Sequence, residues 1–206
     1  MQSVINNSQL VKSKAQFTFE LEGESEIDVK ILSQILDSAV DIIEQTVRQE
    51  PEAYVNLKVT KFSTGSFDID FQAVAEQVAN LLTDPQALAG YLAASVISVF
   101  EITKHIKGKK PQKIINKGEN SEIINSDGES LTVLSKTTDN YFNNSKIENS
   151  VIQIINIVSE ETDRPRFKLK DIESLKEVGF KKEDFSLIKP VVKEMNQYES
   201  KVLANT

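Results

Sequence analysis

The chain has 206 residues, 39% apolar and 27% charged, with 7 glycines and 5 prolines. This composition is too apolar for a disordered acidic chain and too poor in glycine and proline for a low-complexity one, so we expect a folded protein with a buried core. Because the chain has no cysteine and a single histidine, His105, disulfides, thiolate nucleophiles and Cys- or His-rich metal clusters are excluded.

The charge is unevenly distributed along the chain. Residues 1–103 contain 6 Lys and Arg against 15 Asp and Glu, a net charge of −9, whereas residues 104–206 contain 18 against 16, a net charge of +2. This asymmetry predicts two modules with different surfaces. The most apolar stretch, 87–100, is shorter than the roughly 20 residues that span a bilayer. We therefore predict a cytoplasmic protein without membrane contact.

The first predicted module is α+β and covers 16–105, after a flexible N-terminus over 1–15. Alternating apolar residues predict a strand over 16–22, which would have one apolar face. Apolar residues spaced by three and four predict an amphipathic helix over 29–48. Together these elements predict an antiparallel sheet packed with helices.

Two further strands are predicted to form a hairpin with a three-residue loop at 63–65. If the apolar faces of the two strands match, Thr60 pairs with Asp68 and Lys58 pairs with Asp70. This pairing makes Lys58 and Thr60 the cross-strand neighbours of the two aspartates.

Two helices then follow in the prediction, over 73–82 and over 85–104. The second is apolar on nearly every side and must be covered on several sides. It fits the centre of the core or an oligomer interface, and small residues along it would let a second helix approach closely. The sequence predicts a homo-oligomer whose interface consists of Leu88, Gly90, Tyr91, Ala94 and Ile97.

A lysine-rich linker over 106–119 and a small C-terminal α+β module over 120–206 complete the predicted α+β architecture. The predicted elements of this module are a hairpin over 122–134, a connector over 138–143, a helix over 145–159, a strand over 166–170, a short helix over 170–178, a charged turn over 181–184 and a last helix over 190–202.

Carboxylates supply one candidate site. Asp68 and Asp70 lie two residues apart on one strand, close enough to share a divalent cation such as Mg²⁺. The predicted neighbours, Lys58 and Thr60, favour a cross-strand ion pair instead. We therefore predict no catalytic residue, no metal and no cofactor, and keep a Mg²⁺-dependent hydrolase that uses Asp68 and Asp70 as the second alternative.

A stripe of acidic residues leads into the first predicted helix. It consists of Glu20, Glu22, Glu24, Glu26 and Asp28. These carboxylates are either polar residues that the positive end of the helix dipole stabilises, or an acidic surface that binds a basic protein partner. Both interpretations remain open at this point.

A run of basic residues surrounds the predicted linker. Its members include Lys104, Lys107, Lys109, Lys110 and Lys113. Such a run gives salt-dependent binding to phosphates, although lysines at a helix C-terminus also have a plain electrostatic role. No aromatic residue lies between Phe100 and Tyr141, so base stacking is missing here. Nucleic-acid binding is therefore the first alternative, and His105, which no motif ties to a nucleophile, is interpreted as a surface residue.

Three short segments together resemble a broad group of uncharacterised bacterial and phage-type proteins of about this size. They are Gly65-Ser66-Phe67, the polar hairpin from Asn125 to Val133, and the stretch from Tyr141 to Ile147. The resemblance implies a setting in bacteria or phages, in phage defence or counter-defence, and it implies no activity and no site residues. The leading prediction is a non-enzymatic interaction or regulatory protein that acts through self-association and binding of a protein partner.

Overall fold

A computed structural model describes residues 10–21, 28–47, 54–62, 67–78, 85–161, 167–171 and 176–188. The fold is α+β, as predicted. Its elements are β1 (Leu10–Leu21), α1 (Val29–Val47), β2 (Tyr54–Phe62), β3 (Phe67–Val78), α2 (Pro85–Ile106), β4 (Lys113–Lys117), β5 (Asn120–Ile124), β6 (Ser130–Leu134), α3 (Ser135–Asn143), α4 (Ser145–Glu161), β7 (Phe167–Asp171), β8 (Glu177–Phe180) and a short helix, α5, over 182–188.

The strands form two antiparallel sheets. The larger sheet has the order β2-β3-β1-β7-β8, and the smaller sheet has the order β4-β5-β6. β1 lies at the centre of the larger sheet, where Phe19 is opposite Ile69 on one side and Leu169 on the other. Two strands from the C-terminal part of the chain therefore complete a sheet that begins near the N-terminus.

The described buried side chains form a single hydrophobic cluster. It draws on both halves of the chain, with Ile42 from α1, Phe100 from α2, Ile154 from α4 and Phe180 from β8. The predicted division into modules over 16–105 and 120–206 is therefore wrong. A helix as apolar as α2 needs cover on several sides, and both halves of the chain supply it.

Three further predictions for the first half need correction. Residues 10–15, predicted as flexible, belong to β1, and residues 73–78, predicted as helix, belong to β3. These two stretches pair with each other, with Leu10 opposite Val78. The ladder of backbone hydrogen bonds in the sheet overrides the helical preference of an alanine-containing stretch.

The register between β2 and β3 also differs from the prediction. Lys58 is opposite Gln72 and Lys61 is opposite Asp70, and the register also shifts by one residue between Val59 and Lys61. Such a shift is typical of a β-bulge, which apolar alternation alone does not reveal. The predicted loop at 63–65 lies outside the described residues.

The second half contains both confirmed and corrected elements. The predicted hairpin is confirmed as β5 and β6, and the helix predicted over 145–159 is α4. Residues 138–143, predicted as a connector, lie in α3. The helix predicted over 170–178 is wrong at its end, because residues 177–178 lie in β8. Residues 181–184, predicted as a charged turn, lead into α5. The predicted linker over 106–119 contains β4. The helix predicted over 190–202 lies outside the described residues.

α2 is a core helix along its described side chains. Val99 and Phe100 are fully buried, and Ile97 is only 1% exposed. Ile97 therefore packs inside its own chain, which corrects its assignment to an oligomer interface, while Ala94 is half-buried. The side chains of Leu88, Gly90 and Tyr91 lie outside the described ones. Among the described residues, no helix is long and apolar enough to cross a membrane.

Candidate functional site

One side of the three-stranded sheet is open to solvent. β4 is an edge strand that pairs with β5 only, so the backbone on its other side carries no strand in the described part of the chain. Four of its five residues are exposed, and Ile115 is half-buried. Ile114 is 41% exposed, which makes it one of three large apolar residues at the described surface. We call the unpaired side of Lys113–Lys117 the β4 edge.

The two faces of β4 differ in character. On one face, Ile114 is opposite Ile123, which is itself opposite Leu131. Ile123 is fully buried, so Ile114 ends an apolar row that runs from the core to the rim of the sheet. Since successive side chains of a strand point to opposite faces, Lys113, Ile115 and Lys117 share the other face.

The turn that joins β4 to β5 is fixed to the start of α3. Gly118 has a φ of 85°, a conformation that favours glycine in a two-residue hairpin turn. The Ser121 hydroxyl donates to the Ser135 hydroxyl over 2.9 Å, and that hydroxyl donates to the Gly118 carbonyl over 2.7 Å. The Ser135 backbone N–H also donates to the Glu119 carbonyl over 2.9 Å. One end of the small sheet is thus held by neutral hydrogen bonds.

Asn125 holds the opposite end of the sheet, at the turn that joins β5 to β6. Its side chain is buried and makes four hydrogen bonds. The amide oxygen accepts from the backbone N–H groups of Asp127 and Glu129, over 3.0 and 2.9 Å. The amide nitrogen donates to the His105 carbonyl over 3.0 Å and to the Glu129 carboxylate over 2.7 Å. Asn125 therefore both shapes the turn and ties it to the C-terminal end of α2.

Lys107 adds an ionic connection at the same turn. Its ammonium lies 2.8 Å from an Asp127 carboxylate oxygen and 3.1 Å from a Glu129 carboxylate oxygen. These contacts raise the pKa of Lys107, chiefly through Asp127, and Lys107 lowers the pKa of Asp127. The pKa of Glu129 is lowered mainly by the Asn125 amide and next by Lys107. The charges at this end stabilise the turn rather than stand free for a ligand.

His105 also joins α2 to the small sheet. Its ring nitrogen Nε2 lies 3.0 Å from the carbonyl oxygen of Ile123. Because that oxygen can only accept, Nε2 carries the proton and donates it. His105 is half-buried, so it is less exposed than the surface residue that the sequence predicts.

The lysines predicted to bind nucleic acid are mostly engaged within the chain. Lys104 donates to the Gly179 carbonyl over 2.5 Å and lies 3.6 Å from the Asp184 carboxylate. Lys107 is paired as described, and Lys109 lies 4.0 Å from Asp127. The remaining two of the set are Lys110 and Lys113, which are exposed.

The acidic stripe divides into a described and an undescribed part. Asp28 precedes α1, and its carboxylate accepts from the Lys30 backbone N–H over 2.7 Å. This is the contact of a helix N-cap, so Asp28 has the structural role that the sequence suggested. Glu20 lies in β1, whereas residues 22–26 lie outside the described ones.

The register changes the setting of Asp68 and Asp70. Asp68 is opposite Glu20 and Asp70 is opposite Thr18, both in β1. On β2, Asp70 is opposite Lys61 and Lys58 is opposite Gln72, so the predicted pairing of Lys58 with Asp70 is wrong, and Thr60 lies at the register shift. On β7, Lys168 is opposite Glu20. Three acidic positions are thus brought together on neighbouring strands, although the structure does not describe their side chains. Among the side chains that it does describe, no group of three or more metal-ligating residues occurs.

A buried polar group links α2 and α3. The Thr103 hydroxyl lies 3.0 Å from the Val99 carbonyl oxygen and 3.0 Å from the Tyr141 hydroxyl. Burial raises the pKa of Tyr141, so its phenol stays neutral. This group connects the helices that support the small sheet.

The sequence contained a signal for the β4 edge that our prediction missed. The pentapeptide Lys113–Lys117 has two isoleucines between lysines at its ends. Lysines on a short β-branched run are typical of an edge strand, but the nearby Gly108 and Pro111 favoured a linker. The anchoring roles of Asn125 and Ser135 depend on contacts distant in sequence, which local patterns do not reveal.

The chain matches no family model, and no curated protein or solved structure is significantly similar to it. The resemblance to bacterial and phage-type proteins stays a prediction.

Proposed function

We propose that this chain is a non-enzymatic binding protein that docks a protein partner on the β4 edge. The observation that carries the proposal is a short strand whose outer edge pairs with no other strand in the described residues. It carries an exposed apolar side chain, Ile114, in a sheet anchored at both ends. An extended peptide can add to such an edge through main-chain hydrogen bonds. Because the edge is already ordered, docking does not bear the entropy cost of ordering it.

The geometry favours this proposal over nucleic-acid binding through the lysine run. Lys104, Lys107 and Lys109 each have a carboxylate within 4.0 Å, which offsets their charge toward a phosphate backbone. A setting in bacteria or phages, in defence or counter-defence, is part of the same proposal. Self-association stays a prediction, and its interface would not include Ile97, which is buried within the chain.

A photo-crosslinking experiment tests the proposal. A benzophenone amino acid is placed at position 114 and, as a control, at position 187, because Leu187 is similarly exposed at 48%. In cells that encode the protein, we expect position 114 to yield one dominant protein adduct that position 187 does not yield. The partner is then purified and titrated. Ile114→Glu should weaken its binding at least tenfold, whereas Leu187→Glu should leave it unchanged; equal effects of the two variants would refute the proposal.

A Mg²⁺-dependent hydrolase is the second candidate, because Glu20, Asp68 and Asp70 lie on neighbouring strands of the larger sheet. Lys168 is opposite Glu20 on its other side and Lys61 is opposite Asp70, so a Mg²⁺ ion would compete with two lysines for these carboxylates. Millimolar Mg²⁺ should then raise the melting temperature, and Asp70→Asn should abolish the increase while Asp37→Asn, at an exposed position on α1, should not. An unchanged melting temperature would contradict this candidate.

A further inference from the structure

The charges around the β4 edge discriminate between its occupants. Lys113 and Lys117 lie at the two ends of the strand, and Lys110 precedes it; all three are exposed. If a second copy paired with β4 in antiparallel register, Lys113 of one copy would face Lys117 of the other. Parallel in-register pairing would place each lysine against its counterpart. Like charges directly opposite are destabilising, so the edge disfavours a second copy of itself.

We infer that the β4 edge binds an extended segment of a partner protein that has an acidic residue at each end and apolar residues at its centre. This inference rests on the proposed function and specifies the chemistry of the partner. The segment would become a fourth strand beside β4. Antiparallel addition is favoured because β4, β5 and β6 are all antiparallel and antiparallel pairing is slightly more stable.

The order of residues in the partner follows from the order on β4. Acidic residues would lie opposite Lys113 and Lys117, where they form cross-strand ion pairs. Apolar residues would lie opposite Ile114 and Ile115, and a small polar residue would lie opposite Asn116. In antiparallel direction the segment reads acidic, polar, apolar, apolar, acidic. The residue opposite Ile114 would extend the apolar row that begins in the core.

The two lysines do not contribute equally. The Lys117 ammonium lies 2.7 Å from the Glu122 carboxylate, and this contact is the main cause of the lowered pKa of Glu122. Lys113 acts on Glu122 only through a weaker Coulombic effect. The acidic residue opposite Lys113 should therefore contribute more to binding than the one opposite Lys117, because Glu122 already competes for Lys117.

The test uses the full chain and a synthetic capped peptide, Gly-Glu-Thr-Val-Val-Glu-Gly, followed by amide NMR shifts and hydrogen exchange. Four control peptides are used: one replaces both Glu residues with Gln, one replaces both Val residues with Ser, and two replace a single Glu each with Gln. We expect the acidic peptide to shift and protect the amides of Lys113–Lys117. The doubly neutral and the serine peptides should bind about tenfold more weakly or not at all. Loss of the C-terminal Glu, opposite Lys113, should weaken binding more than loss of the N-terminal one.

Variants of the protein separate the charge effect from a general one. Lys113→Glu should weaken binding of the acidic peptide at least tenfold, and Lys113→Gln should have a smaller effect in the same direction. Lys30→Glu, which changes an exposed lysine on α1, should leave the affinity unchanged within about twofold. A higher salt concentration should weaken binding of the acidic peptide more than binding of the neutral peptide.

Each other outcome overturns the inference in a distinct way. If the neutral peptide binds the β4 edge as well as the acidic one, the acidic requirement is wrong while the proposed docking function stands. If no peptide shifts β4, the inference fails, and the proposed function fails with it when crosslinking from position 114 is also negative. If single-stranded oligothymidylate shifts the same amides and Lys113→Glu abolishes that shift, the edge binds nucleic acid instead.

Discussion

Asn144 connects three helices, and its replacement offers a quantitative test of the helical layer. Its carboxamide oxygen accepts from the Lys146 backbone N–H over 3.1 Å, which caps α4. Its amide nitrogen donates to the buried Gln45 side-chain oxygen on α1 over 3.2 Å. Its backbone N–H donates to the Asn140 carbonyl at the end of α3 over 3.0 Å. The capping residue is Asn144, which directly precedes the first residue of α4.

Asn144→Ala should lower the free energy of unfolding by about 2 kcal/mol. Loss of a helix N-cap costs roughly 1 kcal/mol. A buried amide oxygen that loses its donor costs about 1–3 kcal/mol, and the lower end applies because Asn144 is half-buried and admits water. Among the described residues, the Gln45 amide nitrogen has no hydrogen-bond partner, so no second contact of that side chain compensates for the lost one.

A second variant separates the two contributions. Gln45→Met removes the buried amide and should itself change stability by less than about 1 kcal/mol, because an unpaired donor disappears together with the lost hydrogen bond. In the Gln45→Met background, Asn144→Ala should remove only the helix cap and lower the free energy of unfolding by about 1 kcal/mol. Asn144→Asp is the matched control, because its carboxylate keeps the cap acceptor.

Urea unfolding followed by far-ultraviolet circular dichroism measures these differences, since the chain has no tryptophan. The reasoning predicts a coupling energy of roughly 1 kcal/mol between positions 45 and 144. It would be refuted if Asn144→Ala cost the same in both backgrounds, or if Asn144→Asp were as destabilising as Asn144→Ala.

Three further predictions concern charge and hydrogen bonding at other positions. Lys107→Met should raise the pKa values of Asp127 and Glu129 toward their ordinary values. The rise should be smaller for Glu129, because its hydrogen bond with the Asn125 amide remains. Carbon NMR titration measures both, and two unchanged midpoints would contradict the prediction. Glu148→Gln should raise the urea midpoint near pH 7. Burial raises the pKa of Glu148, so the native chain loses stability as pH rises above the ordinary value of 4.5. The gain from the substitution should therefore vanish at about pH 4. Asn125→Asp should cost about 2 kcal/mol, since it removes the donor to the His105 carbonyl and adds a carboxylate beside Glu129; a thermal midpoint equal to that of the native chain would contradict it.

The sequence predicted the elements whose evidence is local. α1 and α4 carry apolar residues at helical spacing, and their described core residues, such as Ile42 and Ile154, are fully buried. The β5–β6 hairpin has a polar turn between two short apolar runs. The burial of Phe100 in α2 followed from a helix without a polar face.

The sequence did not predict the elements whose evidence lies in distant pairing. Residues 73–78 form a strand because β1, which is distant in sequence, pairs with them. The same reason explains the error in the domain boundary: β7 joins β1 across more than half of the chain, and a difference in charge between the halves carries no information about such a pairing.

Neutral hydrogen bonds and ionic contacts both hold the ends of the small sheet, and the two kinds of contact respond differently to pH. At the β4–β5 turn, the Ser121 and Ser135 hydroxyls hold the backbone without any charge. At the β5–β6 turn, Lys107 and its carboxylates contribute stability that is complete above the ordinary pKa of Asp and Glu. That stability is lost as pH falls through their lowered folded-state values. Acid should therefore weaken the ionic contacts of the β5–β6 turn and, at the other end, the Lys117–Glu122 pair. The neutral hydrogen bonds of Asn125, Ser121 and Ser135 do not depend on these carboxylates being ionised, so they should keep both ends of the sheet attached.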